Sequence, residues 1–417
     1  MIDIRKLLNS AAVGAKFAAA LAAAALLVST LASAQGKAPV QGVTDKEILI
    51  GAVGPLTGPA IWMGLGTRDG FTLAIEEINK AGGIHGRQLK LVYEDDSYQV
   101  ARAQTAVRRI LSDTKPFLVF TGTGSTVFVS ISDMLREAKI PVYNGFSGSI
   151  NARKDPEVPL LFHGQAVSST AFVADLDKLL TDLNVKRVAV MNDVGEWGRS
   201  LCEPTIEHLK KKGLAPLTVQ NYKVGDTDFS GQLVPVRNAN AQIVVNCGHF
   251  PEASIILKQA REMGVKSLFI GDAAQANPSV WARAGKAADN WIFNWFSPAY
   301  LSDETGPMVA FRAKYKARYP DAPLGRPNHA DTFSYGDADL LSKAFRDAGP
   351  DLTPESFATA MKKIKNFQPT PITAAASFDN TGNDGFSKTL WVLVQDGKTS
   401  VVGPTQIKTV AGIISGL

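Results

Sequence analysis

Apolar and polar residues follow two rhythms that alternate along the chain. Ile48 to Val53 is an unbroken apolar run of strand length, and the loop Gly54 to Pro59 follows it. Phe71, Ala74, Ile75 and Ile78 then recur at helical spacing, and the helix they predict stops at Gly82 and Gly83. Leu89, Leu91 and Tyr93 alternate as a second strand running into the acidic turn Glu94 to Asp96. A helix from Ala103 to Leu111 leads to a third apolar run, Phe117 to Phe120. A glycine turn, Thr121 to Gly124, separates that run from Val127, Ile131, Met134 and Leu135 at helical spacing, and Ser125 stands where this helix starts. Ile140 to Tyr143 is a further strand ending in the small-residue loop Asn144 to Ser149. Strand, loop and helix in this repetition predict an α/β fold, a parallel sheet covered by helices.

The pattern restarts after about His163. Phe172, Leu176, Leu179 and Leu180 mark a helix, Arg187 to Asp193 a strand, and Gly195 to Arg199 a loop before a helix whose basic end is Lys210 to Lys212. Strands follow at Leu217 to Tyr222, Ile243 to Cys247, Ser267 to Gly271 and near Trp291, with a helix from Glu252 to Met263. From Thr305 the chain turns mainly helical, over Val309 to Arg318, Ala330 to Ala348 and Thr353 to Lys363. It closes with strands at Ala375 to Phe378 and Lys388 to Val394. Two similar units predict two lobes, and ligands of open parallel sheets sit at the carboxyl ends of the strands.

The amino terminus adds an address. Arg5, Lys6 and Lys16 precede an alanine- and leucine-rich run, Phe17 to Leu31, and Ala32 to Ala34 forms a cleavage site, so residues 1–34 read as a signal peptide. That run is short of the about 20 residues of a membrane span, and the mature chain is expected free in a periplasm, without membrane insertion. The removed segment holds three bases and one acid, so the +5 charge of the 417-residue chain falls by two. So small a charge, with no aromatic–basic interleaving, gives no case for nucleic acid. Cys202 and Cys247 are the only cysteines. A chain of this length does not need a bridge to hold its core, and two separate buried thiols are expected.

Catalytic patterns are absent from the sequence. No Gly-Lys-Ser/Thr follows a glycine loop, Gly64 to Gly70 misses the dinucleotide spacing by one residue, and the five histidines stand singly without metal-ligand spacing. Asp95 and Asp96 read as a turn after a strand. No cofactor and no metal are expected, and a binding protein is a better class than an enzyme. Ser125 is the first candidate residue. A serine at a helix N-cap sits beside unpaired amides and the positive dipole end, which suit a carboxylate, although the same serine often only caps a helix.

Several stretches together resemble the periplasmic solute-binding proteins of ABC importers, and among them the branched-chain amino-acid (Leu/Ile/Val) type. They are Ile48 to Pro59, Gly82 to Leu89, Thr121 to Met134, Ile140 to Val142, Asp226 to Ser230 and Glu252 to Gly264. The resemblance implies a type I periplasmic binding fold, two Rossmann-like lobes with parallel sheets joined by three crossovers, here near His163, Ser297 and Phe378. The N-lobe would be 42–163 plus 298–378, and the C-lobe 164–297 plus 379–417. An inner-membrane ABC permease is the implied partner.

The resemblance also implies site residues. Ser125 matches the family serine that binds the ligand carboxylate, with Thr123 in the same loop. Phe146, Ser147 and Gly148 match the next binding loop, and at Gly148 the family's threonine hydroxyl is missing. Trp197 and His249 match the contacts of the second lobe, and Trp62 and Met63 match the first loop, which covers the ligand side chain. Ordinary packing is the alternative for Trp197, His249 and Met63. At Ala273 the family members that bind α-amino acids carry a carboxylate for the ligand ammonium, and Asp272 is one residue early. The expected ligand is therefore a small carboxylate with a hydrophobic or aromatic body and no α-amino group. The alternatives are leucine, isoleucine or valine with Asp272 bending into the cleft, or a sensing receptor of the same fold for an amide or urea.

Overall fold

The computed structural model describes residues 39–153, 160–165, 168–296, 306–323, 326–379, 384–386 and 389–415. The segment 1–34 and the crossover expected at Ser297 lie outside them.

The first half of the chain runs β1 (Glu47–Gly54), α1 (Ile61–Lys80), β2 (Gln88–Asp95), α2 (Val100–Arg109), β3 (Leu118–Thr121), α3 (Ser125–Glu137), β4 (Val142–Asn144) and β5 (Leu161–Gln165). The second unit runs α4 (Ser168–Asp182), β6 (Val188–Asp193), α5 (Glu196–Lys211), β7 (Thr218–Tyr222), α6 (Ser230–Asn238), β8 (Ile243–Cys247), α7 (Phe250–Glu262), β9 (Leu268–Gly271), α8 (Pro278–Ala284) and β10 (Ile292–Trp295). The chain continues through α9 (Gly306–Arg318), α10 (His329–Ala348), α11 (Pro354–Lys362), β11 (Asp384–Phe386), β12 (Leu390–Gln395), β13 (Lys398–Val402) and α12 (Pro404–Ser415).

Among the described residues the strands form two sheets, ordered β11-β5-β4-β3-β1-β2 and β13-β12-β10-β9-β8-β6-β7. Pairs in the first are parallel throughout, and in the second only β12 runs antiparallel, to β10 and to β13. Covered on both faces, the central strands need apolar side chains in unbroken runs. Ile48, Ile50, Leu118, Val119 and Phe120 are fully buried, as are Val188, Val190, Val244 and Val245. Each large apolar side chain so placed contributes about 1.5–3 kcal/mol relative to exposure.

Three expectations are corrected. Ala375 to Phe378 is not a strand; Ala376 makes only an isolated bridge with Phe367. Asp384–Phe386 pairs with β5 on the first sheet, so the chain leaves that lobe after Phe386 and not near Phe378. Arg153 fixes this return by its 2.7 Å pair with Asp384. Cys202 and Cys247 are bridged, not separate, with Cα atoms 5.9 Å apart. The bridge ties α5 to the end of β8, because α5 packs against the sheet to which β8 belongs.

Two helices set the geometry of the first lobe. A Cβ on Gly70 of α1 would lie 2.1 Å from the Asp331 carbonyl oxygen, and one on Gly66 would lie 2.6 Å from Ala330 Cβ. The two glycines therefore let α1 and the start of α10 approach backbone to backbone. Arg326, 3% exposed at its side chain, pairs there with Asp69 at 3.0 Å and Asp331 at 2.6 Å. Asn328 and Asp331 complete a capping box at the start of α10.

Candidate functional site

The carboxyl ends of both sheets face one narrow cavity. The first lobe contributes Met63, Gly124, Ser125, Phe146, Gln165, His329 and Phe333 to it. The second contributes Trp197, His249, Ala273 and Ala274, with Phe296 on the segment leaving β10. Ser125, Trp197, His249 and His329 stand at the starts of α3, α5, α7 and α10. Four helices thus turn their amino ends, with their positive dipole ends, toward one cleft.

Helix α3 begins one residue earlier than the sequence implies. Gly124 is its N-cap, in extended backbone, and Ser125 is the first helical residue with no capping hydrogen bond. A Cβ on Gly124 would lie 2.9 Å from the Tyr98 hydroxyl and 3.1 Å from Met63 Cε, so a bare residue is what lets both close over the helix start. The Ser125 hydroxyl accepts from Ser147 Oγ at 3.0 Å, which leaves its own proton free for a ligand. Asn144 shapes the loop below: its side chain accepts from the Ser147 amide at 2.9 Å and donates to the Ser147 carbonyl at 2.8 Å and to His163 Nδ1 at 2.9 Å. That clamp holds Phe146 in the cavity wall.

In the second lobe, Trp197 is buried and its indole Nε1–H has no protein partner among the described residues. His249 Nδ1 lies 3.6 Å from Asp193 Oδ2. Burial opposes a charged imidazole, but Asp193, Glu252 and Asp272 outweigh it and raise the His249 pKa above 6.5. Asp272 points away from the ligand space. Its two oxygens accept from the Ala274 amide at 2.7 Å and the Gly248 amide at 2.9 Å, and Gln275 Nε2 adds a third bond at 3.2 Å. Among the described residues the cavity wall carries no carboxylate.

Of the sequence candidates, Met63, Ser125, Phe146, Trp197, His249 and Ala273 meet in this wall. Trp62 packs behind it at steep ring angles, its ring centroid 4.5 Å from Phe250, 5.2 Å from His329 and 5.9 Å from Phe146. Thr123 is fully buried beside Asp96 and does not reach the wall, and Gly148 is buried outside it. Sequence reasoning passed over Gln165, Phe296, His329 and Phe333. His329 and Phe333 did carry a signal: four apart behind the Asn328–Asp331 capping box, they share one helix face.

Two lobes closed around a cavity lined by hydrogen-bond donors and aromatic rings define a solute-binding protein. The family model described as periplasmic binding protein matches residues 47–398, and the chain belongs to that family. A Leu/Ile/Val-binding protein of Rhizobium johnstonii is 28% identical over 359 residues, covering 86% of this chain and 93% of the relative. Among solved structures, a branched-chain amino-acid ABC transporter protein of Thermus thermophilus with bound valine superposes with a TM-score of 0.76. It is 19% identical and covers 87% of this chain and 96% of its own. The branched-chain amino-acid transporter substrate-binding protein of Streptococcus pneumoniae, in complex with isoleucine, gives 0.72 at 22% identity, covering 86% and 99%. These superpositions establish the type I periplasmic binding fold. Among the described residues no helix is long and apolar enough to cross a membrane.

Proposed function

We propose that this chain is the periplasmic substrate-binding component of an ABC importer, delivering a small carboxylate with a hydrophobic or aromatic body to an inner-membrane permease. The make-up of the cavity wall carries this reading. Ser125, the Trp197 indole and His249, whose carboxylate neighbours favour its charged form, offer donors to an anion, while Met63, Phe146, Phe296 and Phe333 surround an apolar body. Ala273 stands where an amino-acid receptor needs a negative charge, and both oxygens of Asp272 are held by amides. An ammonium buried there without a counter-charge would cost several kcal/mol. The chain acts by binding and release with no chemical step, after loss of the 1–34 signal peptide.

Leucine, isoleucine or valine is the second reading, favoured by the name of the Rhizobium relative. Titration calorimetry with leucine, isoleucine and valine beside benzoate and cinnamate separates the two. Binding of the aromatic acids with no heat from the amino acids is expected. Tight leucine binding without response to the acids would refute the proposal about the ligand.

A further inference from the structure

His329 is a polar ring in an apolar box. It is 1% exposed, and both its ring nitrogens are buried without a hydrogen-bond partner among the described residues. Around it lie Trp62 at 5.2 Å, Phe146 nearly parallel at 5.6 Å, Phe250 at 6.0 Å, Phe333 at 6.1 Å and Trp295 at 6.3 Å between ring centroids. None of these rings replaces the lost hydration of the two nitrogens, and buried polar atoms left so are rare. The imidazole also lines the cavity.

Its position is heavily enforced. Asn328, the residue before it, caps α10 with a bond from the Ala330 amide at 2.7 Å and donates to the Trp62 carbonyl at 3.1 Å. The Arg326, Asp69 and Asp331 cluster and the Gly66–Gly70 seam hold the same turn. A mere packing position so tightly built would be filled as well by phenylalanine or leucine.

We propose that His329 is a second polar anchor of the site, and that the carboxylate it helps bind carries a hydroxyl group on its hydrophobic body. This rests on the reading of the cleft as a site for a hydrophobic carboxylate. A hydroxyl is a small uncharged group that can accept from an imidazole N–H or donate to an imidazole nitrogen, so it can pair with His329 in either tautomer. Burial, with His249 nearby, pushes the His329 pKa down to about 3, so the ring is neutral and offers one donor and one acceptor. His249 is held toward the charged form and His329 in the neutral form, so the two histidines divide the work: one for the anion, one for an uncharged polar group.

The test is a cycle of two ligands on two proteins. Cinnamate and its 3- and 4-hydroxy derivatives are titrated into the full mature chain and into His329→Phe, whose folding is checked by circular dichroism. In the native protein one hydroxylated acid should bind about tenfold more tightly than cinnamate. In His329→Phe that ratio should fall to within twofold, whatever the change in cinnamate affinity itself. His329→Gln, which again offers a donor and an acceptor, should recover part of it. In the native protein, 15N shifts of the His329 imidazole should move with the hydroxylated acid and not with cinnamate, a reading that needs no variant. A ratio near one in the native protein, or one unchanged in His329→Phe, overturns the proposal while leaving the carboxylate reading intact. If none of these acids binds, the carboxylate reading itself falls and this proposal with it.

Discussion

Ser149 Oγ donates to Glu196 Oε1 at 2.7 Å, and the bond crosses from the first lobe to the second. Asn151 Nδ2 reaches the same oxygen at 2.7 Å, and the Glu196 amide donates to Thr126 Oγ1 at 3.0 Å. One residue at the start of α5 thus holds three first-lobe groups when the cleft is shut. A ligand shifts a hinged protein only by what it gains in the closed form, and contacts between the lobes add to that gain. Glu196→Ala should therefore open the cleft. About tenfold weaker binding is expected, with most of the loss in faster release, because charge-assisted hydrogen bonds contribute roughly 1.5–3 kcal/mol. Stopped-flow tryptophan fluorescence measures the release rate; an unaltered rate would show that closure does not use this contact.

Ser125→Ala removes a donor at the start of α3 and strands the Ser147 hydroxyl. Affinity for an aromatic carboxylate should fall by about 1.5–3 kcal/mol, the scale of a hydrogen bond to a charged group. Calorimetry on the variant checks this, and an affinity equal to the native one removes Ser125 from the site.

The charge of His249 gives binding a pH dependence. Asp193 lies 3.6 Å from its ring, and Glu252 and Asp272 also favour its charged form. Its pKa in the folded protein is raised above 6.5. The stability this contributes is complete below that value and is lost as pH rises through the raised one. Anion affinity should decline over the same alkaline interval, and His249→Gln should flatten the profile while lowering its acid plateau. Melting temperatures and titrations from pH 6 to pH 9 test both; a native profile that stays level would exclude a charged His249.

The Cys202–Cys247 bridge closes a segment of 45 residues. In the chain-entropy account such a loop is worth about 4 kcal/mol. The Cys202→Ala, Cys247→Ala double variant should melt at a lower temperature than the native chain, with the loss matched by adding dithiothreitol to the latter. Equal melting curves would show that the tie is energetically idle.

Much of the cleft is legible in the sequence because its residues sit at junctions. Ser125, Phe146 and Trp197 each follow the end of a strand, where a parallel sheet delivers its loops to the ligand side. His329 and Phe333 escaped for the opposite reason. Among the described residues no strand leads into α10; its start reaches the cavity because Gly66 and Gly70 let it lie against α1, a contact between segments some 260 residues apart that local pattern does not encode. Cysteine pairing is hidden likewise, since nothing local says that α5 lies across the end of β8. The cap falls on Gly124 and not on Ser125 because glycine at an N-cap costs only a few tenths of a kcal/mol relative to serine, too little for local pattern to fix the position.

The glycine seam between α1 and α10 has a last consequence. Through Asn328 it fastens His329 to the Trp62 backbone, so those two aromatic faces travel as one piece whenever the hinge swings. A solute arriving at the gaping protein meets that half of its berth already assembled and is screened there, before the other jaw arrives to seal it in.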